Sequence, residues 1–253
     1  MLRRTVSFIA VIAILVALWL IKGAQLQIHP GTIRECDMRA SSKAILSVAG
    51  PAAFSNAINP VGLSVLTALL ASQGEAAVAG FGAAGRLQSF AVVPLLALSG
   101  SIGAIVGQNW GANRPDRARR AMWWSGLFCV VYGLATAIIL FLTGNWFADF
   151  FTDNPAVIEE FDRYLVISVW GYAGFGLLIV ANGALNAVDK AGFALAQSAA
   201  RVFLVMLPFG WLLRASYGSD AIYAAELIAN LAGGALAAFI VWRILRAGPE
   251  KVG

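Results

Sequence analysis

Seven apolar segments, each long enough to cross a bilayer, constrain this chain more than any other feature. Their soft boundaries fall at roughly 5–21, 44–71, 77–107, 120–143, 164–187, 191–213 and 220–244. A helical span needs about 20 residues of low polarity. Backbone amides and carbonyls in hydrocarbon must bond within their own segment, so these segments are expected to be helices. None alternates with the period of two that a membrane barrel strand requires. The expected fold class is an all-α integral membrane protein of about seven transmembrane helices. Composition agrees: the 253 residues are 60% hydrophobic and only 12% charged, whereas soluble domains carry about 25% charge. Mean hydropathy is +0.77.

Charge between the segments sets an expected topology. The loop at 22–43 carries Lys22, Arg34, Arg39 and Lys43, and the loop at 108–120 carries Arg114, Arg117, Arg119 and Arg120. The C-terminal tail adds Arg243, Arg246 and Lys251. Acidic residues gather in the intervening loops: Glu75, then Asp149, Asp153, Glu159, Glu160 and Asp162, then Asp220. By the positive-inside rule the basic set is cytoplasmic, the C-terminus included. Seven spans then leave Arg3 and Arg4 outside, which the same rule resists. That conflict disappears if an upstream span precedes Met1. The first segment is too long for a signal core and has no small-residue cleavage pattern before Lys22, so it is taken as a span. The aromatics Trp146, Phe147, Phe150 and Phe151 suggest either a short interfacial helix over 146–161 or helix-end residues of the aromatic belt.

Several function classes drop out. The net charge of +5 sits between apolar segments, where it serves topology and anionic lipid contact, so nucleic-acid binding is not expected. His29, Cys36 and Cys129 are the whole stock of histidine and cysteine, too little for a zinc-type site. No Ser-His-Asp set, phosphate loop or Walker lysine is present. The chain is expected to be neither an enzyme nor an ATPase and to need no cofactor. Movement of a solute on an ion gradient, or a structural membrane role, remains.

Polar residues inside spans are costly and therefore informative. Arg86 lies about ten residues into the third segment, as a gate, a pathway charge, or a structural arginine paired with Glu75. Glu226 lies about six residues into the last, roughly 9 Å deep at 1.5 Å per residue. It is either an ion-coupling carboxylate or an interfacial acid that stays wet. Arg201 is mid-span with no evident partner. Asn56 and Asn59, with Pro60 beside them, suggest a cavity wall; Tyr172, Asn182 and Asn186 add polarity to the fifth segment. Such amides also simply join helices. Phe90, Tyr172 and Phe175 either line a lipophilic-cation site or face lipid. Pro51, Pro60, Pro94 and Pro208 fall inside spans and permit breaks of the kind transporters place near binding sites.

One stretch is specific. Arg86-Leu87-Gln88-Ser89-Phe90, Pro94, Ala97-Leu98-Ser99 and then Val106-Gly107-Gln108-Asn109-x-Gly111-Ala112 with Asp116-Arg117-Ala118 resemble the eighth helix and following loop of the multidrug and toxic compound extrusion (MATE) transporters. Gly50-Pro51-Ala52 with Leu66-Thr67-Ala68-Leu69-Leu70 resembles the seventh helix, and Gly183-Ala184-Leu185-Asn186-Ala187 the tenth. The resemblance covers about residues 40 to 245. It implies twelve helices in two lobes, of which this chain would supply the sixth helix and inter-lobe loop (1–43), one six-helix lobe (44–245) and a cytoplasmic tail (246–253). It further implies secondary efflux of organic cations, drugs or toxic compounds from the bacterial inner membrane, by exchange with protons or sodium ions. The partners would be the bilayer, a small organic cation, and a missing N-terminal lobe or a second half-transporter. A lipid-linked-sugar flippase of related architecture, or an inactive remnant, is the alternative. Family members that couple through acids in helices seven and ten have no counterpart here, because neither the Asn59 region nor 164–186 holds an acid of that kind. Asn56, Asn59, Tyr172 and Asn182 are the substrate-binding candidates; Arg86 and Glu226 are the coupling or gating candidates.

Overall fold

A computed structural model describes residues 37–248, so the first apolar segment, 5–21, lies outside the described residues. The chain divides into two compact units, 1–45 and 46–253, and the second holds the helical lobe. All regular structure among the described residues is helical.

Each helix starts where its sequence allows. Helix α1 (Met38–Ala71) follows Asp37, whose carboxylate accepts from the Arg39 and Ala40 amides at 3.0 and 3.1 Å, a side-chain cap. Helix α2 (Glu75–Gly111) follows Gly74, whose φ of 128° only glycine adopts readily. Helix α3 (Pro115–Phe151) and helix α4 (Pro155–Ser168) both open on proline, which lacks the amide hydrogen that a first turn leaves unbonded. Asn154 caps α4 by accepting from the Ala156 amide at 3.0 Å. A 3-10 turn, Val169–Gly171, joins α4 to α5 (Tyr172–Ala187). Helix α6 (Ala191–Ala199) passes through a π-helical stretch, Ala200–Met206, into α7 (Leu207–Ala247). The π register precedes Pro208, whose ring excludes the preceding α-type bond.

Five helical runs are long and apolar enough to cross a membrane, and the fifth covers 191–247. That run would be about 86 Å if straight, at 1.5 Å per residue, nearly three bilayer cores. It is not straight. Gly218 has φ 60° and ψ −136°, and a methyl on Gly210 would lie 3.6 Å from the Cβ of Ala225. Those two residues would be about 22 Å apart along one helix, so the chain doubles back at Gly218. The described residues thus hold six membrane-length helices, as the last six apolar segments require.

The aromatic run at 146–151 does not start a helix of its own. It continues α3 past its membrane span, which ends at Gly144, and α4 begins separately at Pro155.

Helix α5, continuous with α4, is the centre of the bundle. Its span is 72% buried, against 22% for each of α1, α2 and α3. It packs on α2, α3 and α7. Backbones touch there because side chains are missing: a methyl on Gly174 would lie 2.3 Å from the Asn230 carbonyl oxygen, and one on Gly133 2.5 Å from the Ala173 Cα. This close approach is how membrane helices associate without a hydrophobic driving force between them. Two apolar cores result, one around Leu66, Phe81, Tyr164 and Tyr223, the other around Leu95, Phe175, Leu185 and Val241.

Candidate functional site

Polar side chains run through the lobe interior in three layers, each one helical turn from the next. The spacing that builds them is i, i+4 on three helices: Ser55 and Asn59 on α1, Gln197 and Arg201 on the α6–π run, Asn230 and Glu226 on α7. Residues four apart share a helix face, about 6 Å apart along the axis.

The first layer joins α1, α5 and α6. The Ser55 hydroxyl bonds the Ala194 carbonyl at 3.2 Å and the Ser198 hydroxyl at 2.9 Å. Asn182 donates to Ser198 at 3.1 Å and accepts from the Gln197 amide at 2.7 Å. The second layer is built on Arg201, 3% exposed, whose guanidinium donates to Asn59 and to Asn230 and lies 5.1 Å from the centre of the Phe175 ring. Gly233 makes this possible, since a methyl there would stand 2.8 Å from the Arg201 Cγ and Cδ. The third layer is Glu226, 2% exposed, which accepts from the Gln88 amide at 2.9 Å. The Tyr164 and Tyr172 hydroxyls lie beside Glu226. Phe81, Tyr164 and Tyr223 cluster beside this layer with ring centres 5.5–6.3 Å apart, Phe81 and Tyr223 stacked and Tyr164 edge-on to both.

Arg201 and Glu226 share one membrane-embedded interior, yet no ion pair within 4 Å joins them among the described residues. Buried polar atoms are normally hydrogen-bonded. Here Arg201 Nε, Asn230 Nδ2 and Gln197 Oε1 have no partner, and Glu226 Oε2 and the Tyr164 and Tyr172 hydroxyls face one another without completing a well-formed hydrogen bond. The unused valences gather along the ladder, densest around the carboxylate.

The sequence candidates separate into an inner and an outer set. Glu226 is not a wet interfacial acid: it is enclosed by α2, α4–α5 and α7. Tyr172, 2% exposed, and Phe175 belong to the lobe interior, neither facing lipid nor lining an outer pocket. Asn182 is in the first layer. Asn56 and Asn59 do not form one wall: Asn59 is drawn into the interior by Arg201, whereas Asn56, one step round the same side of α1, is exposed. Arg86 is exposed mid-span and forms no ion pair with Glu75. Ser89 and Phe90, 76% exposed, lie on the same outer face of α2. Gln88, Tyr164, Gln197 and Asn230 were not among the sequence candidates. The four-residue spacing from Glu226 to Asn230 and from Gln197 to Arg201 was the signal for two of them.

A six-helix bundle with a central helix, broken helices and a buried polar ladder defines the class: a polytopic membrane transport protein. The MatE family model matches residues 51–212, and the chain belongs to that family. A FAD transporter of Shewanella oneidensis is 33% identical over 82% of this chain and 46% of that protein. A probable multidrug resistance protein of Bacillus subtilis, YpnP, is 23% identical over 72% of this chain and 41% of its own length. The crystal structure of the Vibrio cholerae MATE transporter VcmN in the bent form superposes with a TM-score of 0.79 at 28% identity, covering 84% of this chain and 49% of that one. The chain spans about half the length of these relatives.

Proposed function

We propose that this chain is the C-terminal lobe of a secondary active exporter in the bacterial inner membrane, with its C-terminus in the cytoplasm. It works with an N-terminal lobe or a second half-transporter, and an inward proton or sodium ion drives the outward solute. The observation that carries this reading is the Glu226 carboxyl group, enclosed in the lobe with one oxygen held by Gln88 and the other facing the Tyr164 and Tyr172 hydroxyls. An ionisable group at that depth marks an ion pathway, and three oxygens clustered there suit a proton or a small monovalent cation. The solute passes along the outer face of α1 and α2, where Asn56, Arg86 and Ser89 are exposed at membrane depth. Family relatives named for multidrug resistance support organic cations, drugs or toxic compounds as cargo.

A second reading of the cargo rests on Arg86. An exposed cation in the solute path favours an anion, and one relative at 33% identity is named as a FAD transporter. Both readings are tested in inside-out vesicles from cells that make this chain together with a first lobe. Uptake of ethidium driven by an imposed proton or sodium gradient supports organic-cation export; uptake of FAD alone supports the anionic reading. Gradient-independent equilibration of every solute would remove antiport altogether.

A further inference from the structure

Away from the ladder, a cavity of about 760 Å³ opens between the first turns of α3 and the last turns of α7. Its upper rim is Arg119 and Arg120, with Trp123, Trp124 and Trp242 around it; its deeper wall is apolar, through Leu127, Val130 and Leu177. Gly126 opens the floor, since the nearest atom a methyl there would meet is the Leu177 Cδ2 at 3.5 Å. Arg119 is held by Asp116, and Arg246 stacks on Trp242 with its guanidinium carbon 5.2 Å from the ring centre. Arg120 has no carboxylate partner among the described residues. Asp116 is the single acid in 112–148, and 227–248 holds none, so the rim is net positive.

The geometry points to a binding site for one anionic glycerophospholipid at the arginine-rich end of the lobe. Its phosphate sits at Arg119 and Arg120, its glycerol backbone at the level of the three tryptophans, and one acyl chain in the groove over Leu177. Charge and depth agree on this occupant. From Arg119 to Trp124 the helix descends about 7.5 Å, from the level where basic side chains meet anionic headgroups to the level of the tryptophan belt. A soluble phosphate compound would use the arginines and leave the apolar groove unfilled.

The test is native mass spectrometry of the full chain released from membranes, titrated with phosphatidylglycerol and with phosphatidylcholine of matched chains. Phosphatidylglycerol is expected to be retained preferentially. The double variant Arg119→Gln, Arg120→Gln should weaken that retention about thirty-fold, at the usual increment for two arginines near anionic headgroups, and leave phosphatidylcholine unchanged. Gly126→Leu, which fills the groove without touching the arginines, should reduce both lipids. Helical circular dichroism checks that each variant is folded; should either unfold, photo-crosslinking of an azido-acyl phosphatidylglycerol to Trp124 or Leu177 in the unaltered chain replaces it. Equal retention of the two lipids, no effect of either variant, or crosslinks elsewhere would overturn the site. Displacement of phosphatidylglycerol by inorganic phosphate or FAD at matched charge would give the arginines to a soluble anion instead.

Discussion

Arg201 shows how a single residue is made tolerable in a bilayer. Its guanidinium has two amide oxygens, an aromatic face and a glycine that accommodates its stem. Removing one partner leaves the charge and takes away a charged hydrogen bond. Asn230→Ala is therefore expected to lower lobe stability by about 1.5–3 kcal/mol, read from denaturation in mixed micelles. Replacing Arg201, Asn59 and Asn230 together with apolar residues should cost less than that single change, because no unpaired charge remains. A triple variant weaker than the single one would show that the network is a net source of stability. Glu226→Gln keeps a partner for Gln88 but carries no charge. It should leave the fold intact and abolish gradient-driven export and its pH or sodium dependence; a variant with normal coupled export would exclude Glu226 from coupling.

At the scale of elements, glycine placement decides how helices meet. A methyl on Gly234 would stand 2.4 Å from the Gly174 carbonyl oxygen, backbone against backbone, with no flexible side chain to move. Gly234→Ala should force α5 and α7 apart and destabilise the lobe by about 1–3 kcal/mol or more. At Gly82, also in a helix, a methyl meets nothing within 4 Å. Gly82→Ala should be neutral or raise stability by about 0.5–1 kcal/mol, the ordinary helix preference for alanine. Equal effects at the two positions would show that the backbones at Gly234 can separate without loss. Gly218 is a third case: its φ of 60° reverses the chain, so Gly218→Ala should cost about 1–3 kcal/mol of backbone strain.

For the whole molecule, the uneven burial of its helices says which faces the bundle leaves open. Helix α5 is enclosed, whereas α1 and α2 turn exposed polar residues outward at membrane depth. In the assembled transporter those residues should line a wet cleft. With Cys36 and Cys129 replaced by alanine, Asn56→Cys and Arg86→Cys are expected to react with a membrane-impermeant maleimide, and added solute should slow the reaction. Failure of both to react would place this face against lipid or protein.

The helical class, the six segments of the lobe and the family were all legible in the sequence, because the bilayer enforces one rule on every residue in it: apolar outside, backbone bonded within the segment. Arg86 and Glu226 were conspicuous for the same reason, since each breaks that rule. What each does there was not legible. A sequence shows depth along a helix but not the direction a side chain takes around it, and one residue of rotation moves a group by about 100°. That rotation turned Glu226 and Asn59 inward and left Arg86 and Asn56 outward. The fold-back at Gly218 brought Arg201 within reach of Asn230, residues twenty-nine apart in the chain. Sequence determined which residues must be explained; only the packing of six helices on one another decided what they touch.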